Sequence, residues 1–106
     1  MADMLPPVDY VRQINEDAAD AFQALRKAAI AGPLGVKTCE FVVIGALATT
    51  GEEGSFKVHA RRLKKLGASL GEVRQAVMST LGASTSFSQV VSALKWADEV
   101  YEEGGA

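Results

Sequence analysis

One cysteine, Cys39, is all the chain contains. An internal disulfide is therefore excluded, and such sparing use fits a reducing, cytoplasmic compartment. Aromatic residues are scarce at 7%, which leaves no stacking platform of the kind that binds single-stranded nucleic acid. Charge of one sign is lacking too. A formal net charge of -2 gives no reason to expect nucleic acid or an anionic membrane as a partner. The longest apolar run, Phe41 to Ala48, is far short of the roughly 20 residues a membrane-spanning helix requires. The opening stretch Met1-Ala2-Asp3-Met4-Leu5-Pro6-Pro7 has no basic region followed by an apolar core, so it does not read as an export signal. A single histidine among scattered acids shows no repeated ligand spacing, so no metal is expected. No period of roughly 20–50 residues recurs, which excludes a solenoid.

What is present describes one helical domain spanning residues 1–106. The 106 residues are 48% hydrophobic and 23% charged, a balance that favours a folded core over disorder. Pro6-Pro7 opens a short helix through Asp9, Tyr10, Val11 and Ile14. Asn15 suits an N-cap, with Glu16 and Asp17 in the first turn of the helix that follows. There Ala18, Phe22, Leu25 and Ala29 form an apolar stripe opposite Asp20, Gln23, Arg26 and Lys27, until Gly32-Pro33 stops it. The third helix, Val36 to Ala48, is apolar nearly all round. A strand is the competing assignment for its branched run Phe41 to Ile44, but the alternation a strand needs is absent. Such a helix must be covered on most sides, by its own domain or by another subunit. Thr49-Thr50-Gly51 ends it. A fourth helix begins near Glu52, carries Phe56, His59/Ala60, Leu63 and Leu66 on its buried stripe, and stops at Gly67. Ser69-Leu70-Gly71-Glu72 has capping-box spacing and starts a fifth helix, whose apolar side is Val73, Ala76, Val77 and Leu81. After a small, polar break from Gly82 to Ser86, the sixth carries Phe87, Val90, Val91, Leu94, Ala97 and Tyr101. It frays into Glu102-Glu103-Gly104-Gly105-Ala106.

Two polar residues interrupt these stripes. Glu40 lies in line with Val36, Val43/Ile44 and Leu47 on the most hydrophobic helix. A partly desolvated carboxyl there is a better proton donor near neutral pH. The competing reading is a first-turn acid that satisfies the helix dipole and leans to solvent. His59, the only histidine, is the natural candidate base, against the plainer reading of a satisfied core residue. Ser55 and Glu52 precede it on the same helical side, the spacing of a Ser-His-Glu set, yet no strained nucleophile turn or oxyanion motif accompanies them. Cys39 reads as a small buried hydrophobe. Lys57, Arg61, Arg62, Lys64 and Lys65 read as a solvated face that also supplies positive potential for an anionic substrate.

Glu40, His59 19 positions later, then Leu66-Gly67-Ala68-Ser69 and Glu72 together resemble the core of the carboxymuconolactone decarboxylase/alkylhydroperoxidase-D family. The similarity covers roughly Leu34 to Trp96, and the upstream helix Ala18 to Ala31 also fits. The resemblance implies an all-α, alkylhydroperoxidase-D-like protomer that assembles into a homotrimer or homohexamer. In that family the histidine closes a Cys-x-x-Cys-x-x-x-His motif. Here Glu52 and Ser55 stand at the two cysteine positions, and neither can form a sulfenic acid or a disulfide. The two-cysteine peroxidase mechanism is thereby excluded. Decarboxylase-type members do not depend on the thiol pair and show the His-x-Arg arrangement seen here as His59-Ala60-Arg61. The resemblance therefore points to a cofactor-free lyase using acid/base chemistry on a small carboxylated lactone or related anion. His59 and Glu40 would be catalytic, with Ser55, Glu52 and Arg61 at the substrate. Arg61 starts from nearly the opposite helical face to His59, a position suited to a neighbouring subunit. Two rivals stand beside this expectation. One is a redox-inactive family member serving as a binding or assembly module. The other is a peroxidase using Cys39 with an external thiol.

Overall fold

The computed structural model describes residues 6–105; residues 1–5, read above for an export signal, and Ala106 lie outside them. The described residues form six α-helices and no strand. Helix α1 (Pro7–Ile14) starts at a proline whose missing N–H costs nothing in a first turn. Asn15 then ends α1 and caps α2 (Glu16–Ile30), its side chain accepting from the Ala18 N–H at 3.0 Å. Arg12 bridges this hairpin, donating to Asp20 and to Gln23 at 2.6 Å each.

Helix α3 (Val36–Thr50) runs two residues beyond the expected end. It stops at Gly51, whose φ of 75° is the left-handed conformation a helix C-terminus needs and a side chain resists. Helix α4 (Glu53–Lys65) follows with Glu52 at its N-cap. Gly67, at φ 89°, turns the chain into α5 (Leu70–Met78), which opens with a complete capping box between Ser69 and Glu72. Leu81, expected on α5, instead lies in the break that follows, in an isolated bridge with Thr85. The helix ends before it because Ser79 and Thr80 turn their hydroxyls back onto the Ala76 and Val77 carbonyls. A second capping box, Ser86 with Gln89, starts α6 (Phe87–Glu102).

The core lies among α3, α4, α5 and α6. Ile44 and Ala48 meet Phe56, Ala60 and Leu63 of α4, Val73 and Val77 of α5, and Val90, Ala93, Ala97 and Val100 of α6. Phe56 packs edge-on against Trp96, with ring centroids 5.6 Å apart at 62°. Leu66 does not join the stripe expected of it and is largely exposed.

Two faces depart from the expected pattern in an informative way. On α2 only Ala19 is buried, while Phe22 and Leu25 of the apolar stripe are exposed. Gln23 and Arg26, expected to face solvent, line a cavity that faces α4, and Phe22 borders it as well. On α3, Val42 is 61% exposed and Ala46 is exposed, so the chain alone does not cover this apolar helix. No helix among the described residues is long and apolar enough to cross a membrane.

Candidate functional site

The two polar residues that interrupt apolar stripes meet. Helix α3 puts Glu40 against α4, where the carboxyl is only 2% exposed, so it does not lean to solvent. Its Oε1 lies 2.5 Å from His59 Nδ1. A carboxylate accepts only, so the shared proton sits on Nδ1, and Nε2 becomes the exchangeable position of the ring. Among the described residues Nε2 has no hydrogen-bond partner. Arg62, one turn after His59, brings its Nη1 to 3.7 Å from Glu40 Oε2. A buried carboxylate is thus held between an imidazole and a guanidinium, the compensation that burial of a charge demands.

His59 and Arg62 open onto a cavity of about 250 Å³ between α2 and α4. Its apolar wall is Val8, Phe22 and Ile30; its polar wall adds Gln23, Arg26 and Lys27. No acid lines it. Arg26 is the residue that sequence reasoning missed, because it stands among the polar residues set against the apolar stripe of α2. Its Nη2 is fully buried with no hydrogen-bond partner among the described residues. Helical periodicity carries no signal for this, since which face of a lone amphipathic helix turns inward is decided by tertiary packing. A larger groove of about 400 Å³ lies between α3 and α5, but its lining, which includes Thr38, Thr49, Thr80 and Ser84, offers hydroxyls and no ionisable group.

The other expected site residues are placed differently. Arg61 is engaged by Glu103 through two hydrogen bonds, 2.9 Å from Nε and 2.8 Å from Nη2. The same contact holds the Glu103 carboxyl below the usual carboxylate range. Arg61 lines a neighbouring cavity instead, together with Val58 and Lys65. Glu52 is exposed at the α4 N-cap, and Ser55 is half-buried; neither lines the His59 cavity nor hydrogen-bonds to His59. Of the remaining basic run, Lys57 pairs with Glu53 and Glu99. Lys64 lies over the Tyr101 ring and donates to backbone carbonyls of Val100 and Glu103. Of the two that remain, Arg62 and Lys65, only Arg62 lines the His59 cavity.

Cys39, the residue before Glu40, is half-buried and directs its thiol at the Ile30 carbonyl, 3.7 Å away. It does not line the cavity of His59. Hydroperoxide turnover with a dithiol reductant is accordingly expected to be negligible, since no resolving thiol exists in the chain. A coupled peroxidase assay checks this; robust turnover abolished by Cys39→Ser would overturn it.

Six helices, four of which build the core, carry a buried acid–histidine pair beside a cation-lined cavity. The sequence pattern of the Carboxymuconolactone decarboxylase family matches residues 16–99. The chain belongs to that family. Neither a curated protein nor a solved structure matches it significantly.

Proposed function

We propose that the protein is a cofactor-free lyase that decarboxylates a small carboxylated lactone or a related anion. The observation that carries this reading is the Glu40–His59 pair, opening on a cavity whose other ionisable lining residues are all cations. In the reaction the carbon–carbon bond to the carboxylate breaks and carbon dioxide leaves. The electron pair left behind spreads onto the lactone carbonyl as an enolate, which the surrounding positive charge stabilises. His59, as imidazolium, gives its Nε2 proton to the carbanionic carbon. Glu40 accepts the hydrogen bond from Nδ1–H and so fixes the ring. A solvent proton then restores Nε2, so one proton is consumed for each carbon dioxide released.

The direct test is carbon dioxide release from carboxylated lactones, with His59→Gln as the matched variant. Release no faster than the uncatalysed rate across such a panel would leave a redox-inactive binding or assembly role in its place.

The same reading includes assembly. Val42 is 61% exposed and Ile14 71%, and Leu25 and Tyr10 are exposed beside them in composition if not in place. That much large apolar surface on a chain of this size is the kind that association covers. A homotrimer or homohexamer is expected, and sedimentation at micromolar concentration measures it. A well-folded monomer would count against it.

A further inference from the structure

From the cavity between α2 and α4 we infer a carboxylate-anchoring subsite built on Arg26, with His59 and Arg62 on the facing helix. The inference rests on the reading that this cavity receives the substrate, and it adds the residue that fixes the ligand's orientation. Among the described residues, Arg26 Nη2 is buried without any hydrogen-bond partner. A guanidinium is charged at every relevant pH, so it cannot escape burial by losing its proton. Leaving one of its N–H groups unmatched is unfavourable, and such orphans mark places where a partner arrives from outside the chain. An acid on a neighbouring helix would have been the structural remedy, yet among the described residues no Asp or Glu lines the cavity. Glu40 lies close by, but its carboxylate is already shared between His59 and Arg62.

The chemistry of the missing partner follows from the walls. The fork of a guanidinium matches a planar carboxylate with two parallel hydrogen bonds. Phe22 and Ile30 on the same wall favour an organic body over a free inorganic ion. At about 250 Å³ the cavity lies below the range of drug-sized sites, so the ligand is small. Arg26 and His59 come from different helices facing each other across this space. A carboxylated ring held by one end at Arg26 therefore presents its other end to His59. Arg26 is a specificity-determining residue in this arrangement, and His59 the proton donor.

Benzoate, inorganic phosphate and neutral benzamide are suitable probes, titrated by calorimetry into the purified protein. Benzoate is expected to bind, benzamide to bind at least about tenfold more weakly, and phosphate not to compete. Arg26→Gln should weaken benzoate at least roughly tenfold, the loss expected of a charge-assisted pair. Arg74→Gln removes the same charge at a site where Arg74 pairs with Asp98 on α6, outside the cavity, and should bind benzoate as the unaltered protein does. His59→Gln should keep benzoate binding, which separates anchoring from proton transfer. Melting temperature without ligand gives a second readout. Arg26→Gln should melt no lower than the parent, since it removes an unpartnered buried nitrogen, and benzoate should raise its melting temperature less than that of the parent or of Arg74→Gln. Absence of benzoate binding, equal binding by Arg26→Gln, or a lower ligand-free melting temperature in that variant would each overturn the subsite. Carbon dioxide release by the parent in the face of those results would leave the lyase reading intact, so the two fail separately.

Discussion

His59→Gln is expected to remain folded and oligomeric while losing at least roughly a hundredfold of its activity on a carboxylated lactone. Glutamine keeps a group able to hydrogen-bond with Glu40, so the buried carboxylate is not left without its α4 partner. It cannot exchange a proton near neutral pH, which removes the acid from the reaction. A purely structural pair behaves differently under the same change. Stability would fall, or nothing would change, and there would be no turnover to lose. Circular dichroism and sedimentation establish that the variant is intact before carbon dioxide release is compared. Full decarboxylase activity in an intact His59→Gln protein would falsify the role given to His59.

Phe56→Ala should carry the largest cost in stability, about 3–5 kcal/mol on the scale of buried aromatic truncations. The ring is fully buried where α3, α4, α5 and α6 converge, and it makes the edge-on contact with Trp96. Its removal leaves a cavity that the surrounding helices cannot close without giving up contacts with Ile44 and Leu63. Because Phe56 lies one turn before His59, the same change loosens the helix that aims the imidazole. Trp96, the only tryptophan, reports the transition by fluorescence during urea unfolding. Lys95→Ala, an exposed position on α6, should stay within about 0.5 kcal/mol as a control. A loss below about 1 kcal/mol for Phe56→Ala would mean that the ring does not hold the helices together as described.

Much of the site was legible because the chain breaks its own pattern only rarely. Glu40 and His59 stand out as polar residues on apolar stripes, and the family resemblance joined them across 19 positions. Their shared hydrogen bond is the arrangement that two desolvated polar groups on neighbouring helices require. Both capping boxes and the glycine stops mark their boundaries through local bonds and left-handed φ values, which need no tertiary information. Leu81 was misplaced because a helical stripe can continue past the residue where backbone hydrogen bonding stops.

By itself, the sequence determined the helical class, the positions of the six helices and the candidate acid–histidine pair. Each is written in short-range periodicity or in a motif with fixed spacing. Only the tertiary structure decided which side of α2 turns inward, which member of the basic run on α4 is left for the site, and which cation faces His59. Those choices depend on what stands opposite each helix. Glu103, just past α6, and Glu99 on it claim Arg61 and Lys57. Arg26 finds no acid among the described residues, because the helix it meets presents only His59 and Arg62 to the cavity they share. An isolated helix carries the same residues whichever way it is turned, and only its neighbours distinguish a solvated cation from a buried one.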